Sequence, residues 1–405
     1  MLKTTAADFH PPAYYSVIEI VYKFFPPTEI VTRSVSIIFY FLTLFLVWKL
    51  ASEIKGKIFG LVSTLVVALN PIFFTYAYEA RNYTMFAFTA VGSVYFLIRI
   101  SEGFTKLRAL GFVLFSTLGI YTHYYMFFTL AAQGLYLLLL DRKIFFKMFG
   151  LYFVVALLYL PWIPFLYSQV TSVKESYWIG QVDGRTHYEA LLRILGGEHK
   201  NIFRPFLFGF SISLLTIGII QHALRHKFEK PYLLIWLWAT VPFVLATLPG
   251  FKAGNVSVPF RPIFFWRYLI NASIPLSLVL VHTAQRLGKY FYIPTVGAII
   301  GLALAIDLLT FSRYTYGFKQ VYEEQIVGKV GNEPIVTVLP SFAEALYYRN
   351  RFGLENELIV LPEGLVQFSG KSLLDAYEAN GVVKVDEAPE RRYLELRPGP
   401  SLEVR

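Results

Sequence analysis

The sequence contains no cysteine. Disulfides and thiolate metal sites are therefore excluded, and nothing is learned about redox compartment. Charge is also scarce. Only 16% of the residues are charged, against about 25% in soluble domains. Hydrophobic residues reach 56%, and the mean hydropathy is +0.51. This is the composition of an integral membrane protein. Acidic residues are the rarer sign, 27 against 37 basic, which leaves a net charge of +10. A nucleic-acid partner is not the reading of that excess. The basic residues sit mostly in short loops between apolar runs, which is the pattern of membrane orientation. The first 16 residues are polar and proline-rich and do not read as a cleavable signal peptide. Internal repeats and low-complexity segments are not evident.

Long apolar runs are abundant. They cover approximately 30–48, 58–75, 83–98, 109–121, 124–140, 148–167, 205–221, 231–248, 268–283 and 291–311. A helix needs about 20 apolar residues to cross a bilayer, so the shorter runs must tilt or extend into their flanks. The expected fold class is a polytopic α-helical membrane protein of about ten transmembrane helices. Aromatics make up 18% of the chain, and Tyr and Trp suit the membrane boundary. A helix near 12–25 mixes charge with aromatics and is expected to lie along the membrane surface, ended by Pro26-Pro27. Near residue 312 the composition turns charged and turn-rich. Strands are predicted at 335–339, 358–361, 382–385 and 393–396, with helices at 342–349 and 373–379. The domains expected are a membrane domain, 1–311, and a small soluble α/β domain, 312–405. No phosphate loop or metal motif is seen in the latter.

Charge predicts the orientation. One set of alternate loops (49–57, 99–108, 141–147, 222–230 and 284–290) holds 14 Lys or Arg in 42 residues. The opposite set (76–82, 121–125, 169–204 and 250–267) holds 9 in 66. Dense short basic loops mark the cytoplasmic side. The second set is therefore expected to face outward, together with residues 1–28 and the C-terminal domain. Loops 169–204 and 250–263 are long, and each is either a lid or binding loop or a plain connector.

Four outward stretches concentrate ionisable groups at span ends: Asp8-Phe9-His10-Pro11-Pro12, Tyr78-Glu79-Ala80-Arg81-Asn82-Tyr83, Thr122-His123-Tyr124-Tyr125, and Arg267-Tyr268. Prolines 11 and 12 suit the first turn of a helix, which holds Asp8 and His10 just outside it. Taken singly, each group has an ordinary explanation. Glu79 and Arg81 make an interfacial ion pair, His123 is a hydrogen-bonded boundary residue, and Arg267 snorkels to the headgroups. Together on one face they suggest function. A carboxylate can take an acceptor's proton. Two guanidiniums can hold a phosphate that leaves with added negative charge.

Asp-x-His-Pro-Pro-x-Tyr-Tyr, then Thr28-Glu29 and Arg33-Ser34, then Tyr-Glu-Ala-Arg-Asn-Tyr, then Thr-His-Tyr-Tyr, resembles the GT-C membrane glycosyltransferases. The type is that of family 39, similar to protein O-mannosyltransferases and lipid A aminoarabinose transferases. The resemblance covers roughly residues 8–270. It implies a GT-C-like bundle in the cell membrane with an outward-facing active site, a polyprenyl-phosphate sugar as donor, and transfer with inversion to a protein, lipid or glycan. By position, it implies Arg81 and Arg267 as phosphate contacts and Glu79 as the group holding Arg81, while Asp8, the candidate catalytic residue, matches the family's second acidic position, near donor phosphate or a metal. Tyr83, Tyr124 and Tyr268 would line the carrier or sugar pocket. His10 and His123 would orient phosphate, or bind a divalent metal in members that use one. Members usually begin with a further helix and an acidic outward loop. Only seven residues precede Asp8 here, so the expectation is a truncated start, or an Asp8 that has taken over the base role.

Two other classes compete with a transferase. A transporter or flippase of lipid-linked substrates would place its polar groups at the midplane, whereas these lie at one face. A catalytically inactive truncated paralogue would keep the bundle and lack the chemistry.

Overall fold

The structure, a computed structural model, describes residues 10–140, 142–175, 179–225, 229–249, 252–253, 256–257, 262–313, 316–363 and 382–405. Each of the ten apolar runs falls on helix. The helices are α1 (Ala13–Tyr22), α2 (Glu29–Lys55), α3 (Lys57–Ala68), α4 (Pro71–Ala77), α5 (Tyr83–Glu102), α6 (Lys106–Ile120), α7 (Met126–Leu140) and α8 (Arg142–Tyr159). They continue with α9 (Ile163–Glu175), α10 (Gly184–Gly196), α11 (Arg204–Arg225), α12 (Lys230–Thr247), α13 (Ser273–Arg286) and α14 (Lys289–Phe311). Among the described residues six helices are long and apolar enough to cross a membrane, or seven if α3 and α4 count as one broken span. Of the remaining runs, two form shorter unbroken helices, α6 and α7, and two are interrupted. Pro71 cannot continue the hydrogen-bond ladder of α3, so the chain bends by 69° between α3 and α4. The run at 268–283 divides into a 3-10 turn, Trp266–Ala272, and α13.

Helix α1 is shorter than expected and stops three residues before Phe25. Tyr14 and Ile18, one turn apart, pack with Val35 and Met85. Helix α2 starts at Thr28, whose side chain accepts the Val31 N–H.

The two loop sets sort to opposite helix ends. Glu53 at the end of α2 pairs with Arg99 at the end of α5, 2.9 Å away. At the other ends of those helices, Ser36 donates to the Arg81 carbonyl just before α5. The long stretch 169–204 contains α10, opened by a capping box in which Asp183 accepts the Thr186 N–H at 2.7 Å.

Two compact units result, one of residues 10–167 and 179–312, the other containing 313–405 with the end of α9. The second carries β3 (Ile335–Val338), β4 (Leu358–Leu361), β5 (Val382–Lys384), β6 (Leu394–Arg397) and β7 (Ser401–Val404), after a short pairing of β1 (Lys252–Ala253) with β2 (Val256–Ser257) in the first. The sheet order is β5-β4-β3-β6-β7, parallel except for the β6–β7 pair. Side chains alternate between faces. Ile335, Leu358, Val360, Leu394 and Leu396 join Phe342 and Leu346 of a helix at Phe342–Arg351. Val336, Val338, Ile359 and Leu361 form a second cluster. The predicted helix at 373–379 lies outside the described residues.

Candidate active site

The four stretches meet at one end of the helical unit, and main-chain groups tie them together. The Ala13 N–H donates to the Tyr121 carbonyl at 2.9 Å, which fixes the His10-Pro-Pro turn beside the loop before His123. Tyr14 and Ser36 share a 2.7 Å hydrogen bond, and Ser36 donates to the Arg81 carbonyl at 3.1 Å. Asn82 donates from its amide to the Thr122 carbonyl at 2.8 Å. Asp8 lies outside the described residues.

His123 occupies the centre. It is buried and stacks on Phe86, with ring centroids 4.7 Å apart. Tyr83, Tyr125 and Tyr268 surround it at 6.1, 5.4 and 5.3 Å. Its Nδ1 accepts the Tyr125 N–H, so a neutral ring carries its proton on Nε2. Burial, and then the charge of His10, push its pKa down to about 3. At neutral pH it is an uncharged ring, suited to donating one hydrogen bond. His10 itself is half-buried and meets Tyr15 edge-on at 6.2 Å. Tyr124 stands slightly apart, its hydroxyl accepting from the Trp162 indole at 3.1 Å.

Two arginine groups flank this aromatic centre. Arg81 lies 3.7 Å from Glu79, and both side chains are well exposed, at 52% and 37%. Burial still raises the Glu79 carboxyl above its ordinary range, opposed by the charges of Arg81, Arg267 and Arg33. Arg267 is held on aromatic faces, 5.0 Å from Trp266, 5.6 Å from Phe265 and 5.9 Å from Tyr76. Its guanidinium pairs with Glu198 at 3.5 Å. Glu198 also faces Arg193 at 3.7 Å and accepts the Tyr76 hydroxyl at 2.9 Å.

Glu198, Arg193, Tyr76 and Trp266 were not among the residues expected from sequence. Glu198 follows Gly196-Gly197 at the end of an amphipathic helix, a recognisable helix stop. Gly197 has φ +91°, and a Cβ there would lie 2.8 Å from Pro71. The glycine therefore lets the chain pass close to α4 and delivers Glu198 to Arg267. Asn70 braces the same junction. Its side chain accepts the Phe73 N–H at the start of α4 and donates to the Ile194 carbonyl of α10. The stretch expected to be either a lid or a connector thus contributes a carboxylate and a guanidinium to the site.

The arrangement can bind an anion. It presents guanidiniums of two origins, an uncharged imidazole and a wall of tyrosines. Among the described residues no three His, Asp or Glu gather as metal ligands.

Residues 9–167 match the family model described as dolichyl-phosphate-mannose-protein mannosyltransferase. Comparison with curated proteins gives no match. Among solved structures, the chain is similar to ArnT from Cupriavidus metallidurans in the apo state, at 12% identity, covering 96% of this chain and 82% of that one, with a TM-score of 0.66. It is likewise similar to the same organism's ArnT bound to undecaprenyl phosphate, at 14% identity, covering 96% and 83%, with a TM-score of 0.62. Fold and family model agree with the motif resemblance to the GT-C superfamily.

Proposed function

We propose that this GT-C-fold chain transfers a sugar from a polyprenyl-phosphate donor to an acceptor at the outward membrane face. The observation that carries the reading is the meeting of Arg81, Arg267, His123, Tyr83 and Tyr268 at one end of the bundle. The similarity of fold to a protein solved with undecaprenyl phosphate supports the class of donor. The basic loops at the opposite helix ends support the outward orientation.

In the reaction, an acceptor oxygen or nitrogen attacks the anomeric carbon as the bond from that carbon to the phosphate oxygen breaks. Attack from the opposite face inverts the configuration. The departing phosphate gains negative charge, and Arg81 and Arg267 stabilise it more strongly than they do the donor. His123 donates from Nε2 to a phosphate oxygen or sugar hydroxyl. Tyr83 and Tyr268 supply flat walls for the sugar or the first isoprene unit, with Tyr124 toward the carrier. Glu79 and Glu198 orient the two arginines. Asp8 takes the acceptor's proton.

The test is transfer from radiolabelled polyprenyl-phosphate sugars in membranes containing the protein. Arg81 is half exposed and weakly paired, so Arg81→Ala leaves the fold within about 1 kcal/mol of the parent. Transfer should fall by about a hundredfold or more. Full activity in that variant removes Arg81 from the site and refutes the assignment.

A further inference from the structure

A second polar cluster lies at the far helix ends. Lys55 closes α2, His222 lies near the end of α11, and His282 and Arg286 lie in the last turns of α13. Each of these helices starts beside the candidate active site. Along the 27 residues of α2 the separation is about 40 Å at 1.5 Å per residue. The transfer mechanism uses none of these groups.

The cluster has a buried floor and an accessible rim. His222 and His282 are buried, at 2% and 1% exposure. Their rings are 5.9 Å apart, and Tyr232 stacks on His282 at 3.5 Å. Lys55 is exposed and Arg286 half-buried. Lys55 donates to His282 Nδ1 at 3.2 Å, and Arg286 approaches His222 Nε2 at 3.4 Å. His222 Nδ1 bonds the Gly218 carbonyl at 2.7 Å. Both cations thus lean on imidazole nitrogens.

Two features of this cluster are unfinished. Because His282 Nδ1 accepts from Lys55, its proton sits on Nε2, and that buried N–H has no acceptor. The buried Tyr232 hydroxyl lacks a partner as well. Among the described residues, neither Lys55 nor Arg286 has a carboxylate within ion-pair distance. Glu229 influences Lys55 from farther away. Two unneutralised cations above two unanswered donors call for an anion with several acceptor oxygens.

We propose that Lys55, Arg286, His222 and His282 form a second anion site, and that it takes the phosphate of an anionic membrane lipid. The surroundings favour a lipid over a free ion. At these same helix ends Ile58, Leu224, Tyr290 and Phe291 are 64–79% exposed. They offer apolar contact for acyl chains next to the cations. A basic pocket between span ends is a setting in which lipid phosphates bind.

The experiment is native mass spectrometry of the full chain in mild detergent, titrated with phosphatidylglycerol and, separately, phosphatidylcholine. The parent should bind phosphatidylglycerol selectively. Lys55→Ala/Arg286→Ala should weaken that binding about thirtyfold, from about 1 kcal/mol per basic residue. Lys106→Ala, which removes an exposed charge from the same end, should change it less than about threefold. Thermal unfolding is recorded alongside, and each single variant supplies the comparison if the double does not fold. Equal affinity for the two lipids, or undiminished binding by a folded variant, overturns the proposal. Inorganic phosphate binding alone as tightly as phosphatidylglycerol overturns the lipid assignment.

Discussion

Glu198 links three groups, so removing it has a cost that can be worked out piece by piece. Its carboxylate accepts the Tyr76 hydroxyl at 2.9 Å and faces Arg267 and Arg193 at 3.5 and 3.7 Å. Glu198 is 15% exposed, and the arginines are 32% and 28% exposed. A hydrogen bond to a charged acceptor contributes about 1.5–3 kcal/mol. Each partly exposed pair adds at most about 1 kcal/mol. Glu198→Ala should therefore cost about 2–5 kcal/mol. Glu198→Gln keeps an acceptor for Tyr76 and should cost less. Tyr76→Phe removes the donor alone. If the hydroxyl–carboxylate bond is the main contribution, Tyr76→Phe and Glu198→Ala overlap when combined. The double variant should then be more stable than the sum of the single losses predicts, by about 1.5–3 kcal/mol. The assay is thermal unfolding of the parent and all four variants in one detergent at one scan rate. At about 1–2 °C per kcal/mol for a chain of 405 residues, the non-additivity is about 1.5–6 °C. Additivity within about 0.5 kcal/mol would refute the reasoning, because independent residues behave that way.

Gly197→Ala should destabilise the protein by about 1–3 kcal/mol, since its φ of +91° and the Pro71 contact both exclude a side chain. The same change should lower sugar transfer by displacing Glu198, measured beside thermal unfolding. His123 has a pKa depressed from 6.5 to about 3 on folding. Below 6.5 the unfolded chain binds the extra proton and the folded one does not. This contribution to stability is therefore complete above pH 6.5 and is lost as pH falls toward 3. His123→Asn should flatten that slope in unfolding temperatures recorded across the window, and an unchanged slope would assign the acid sensitivity elsewhere.

Hydropathy alone located helix at every apolar run, because burial in lipid demands unbroken apolar helix over most of its length. It did not reveal which runs would break. The bend at Pro71 depends on Asn70 capping α4 and on Tyr40 taking up the freed Ala68 carbonyl, a partner 28 residues away. The sheet was legible from short β-branched runs. Its last strand, β7, was missed because it is brief and mostly exposed, although Gly399-Pro400 marks the turn before it. His123, Tyr83, Arg81 and Arg267 stood out because charged or aromatic residues cluster at span ends. Glu198 did not, since its meaning depends on a glycine turn that brings it to Arg267. The cluster of Lys55, His222 and His282 was equally hidden, as its members come from separate helices.

The fastening of the site loops to one another has an evolutionary consequence. Arg81, Thr122 and Tyr121 serve as acceptors through their backbone carbonyls, as does Ile263, which accepts the Tyr125 hydroxyl. A carbonyl is supplied by any amino acid. Of those four acceptor positions, Tyr121, Thr122 and Ile263 can therefore change side chain without unfastening the loops, whereas Arg81 is also held by its proposed contact to phosphate, so the frame tolerates drift at three of its four fastenings.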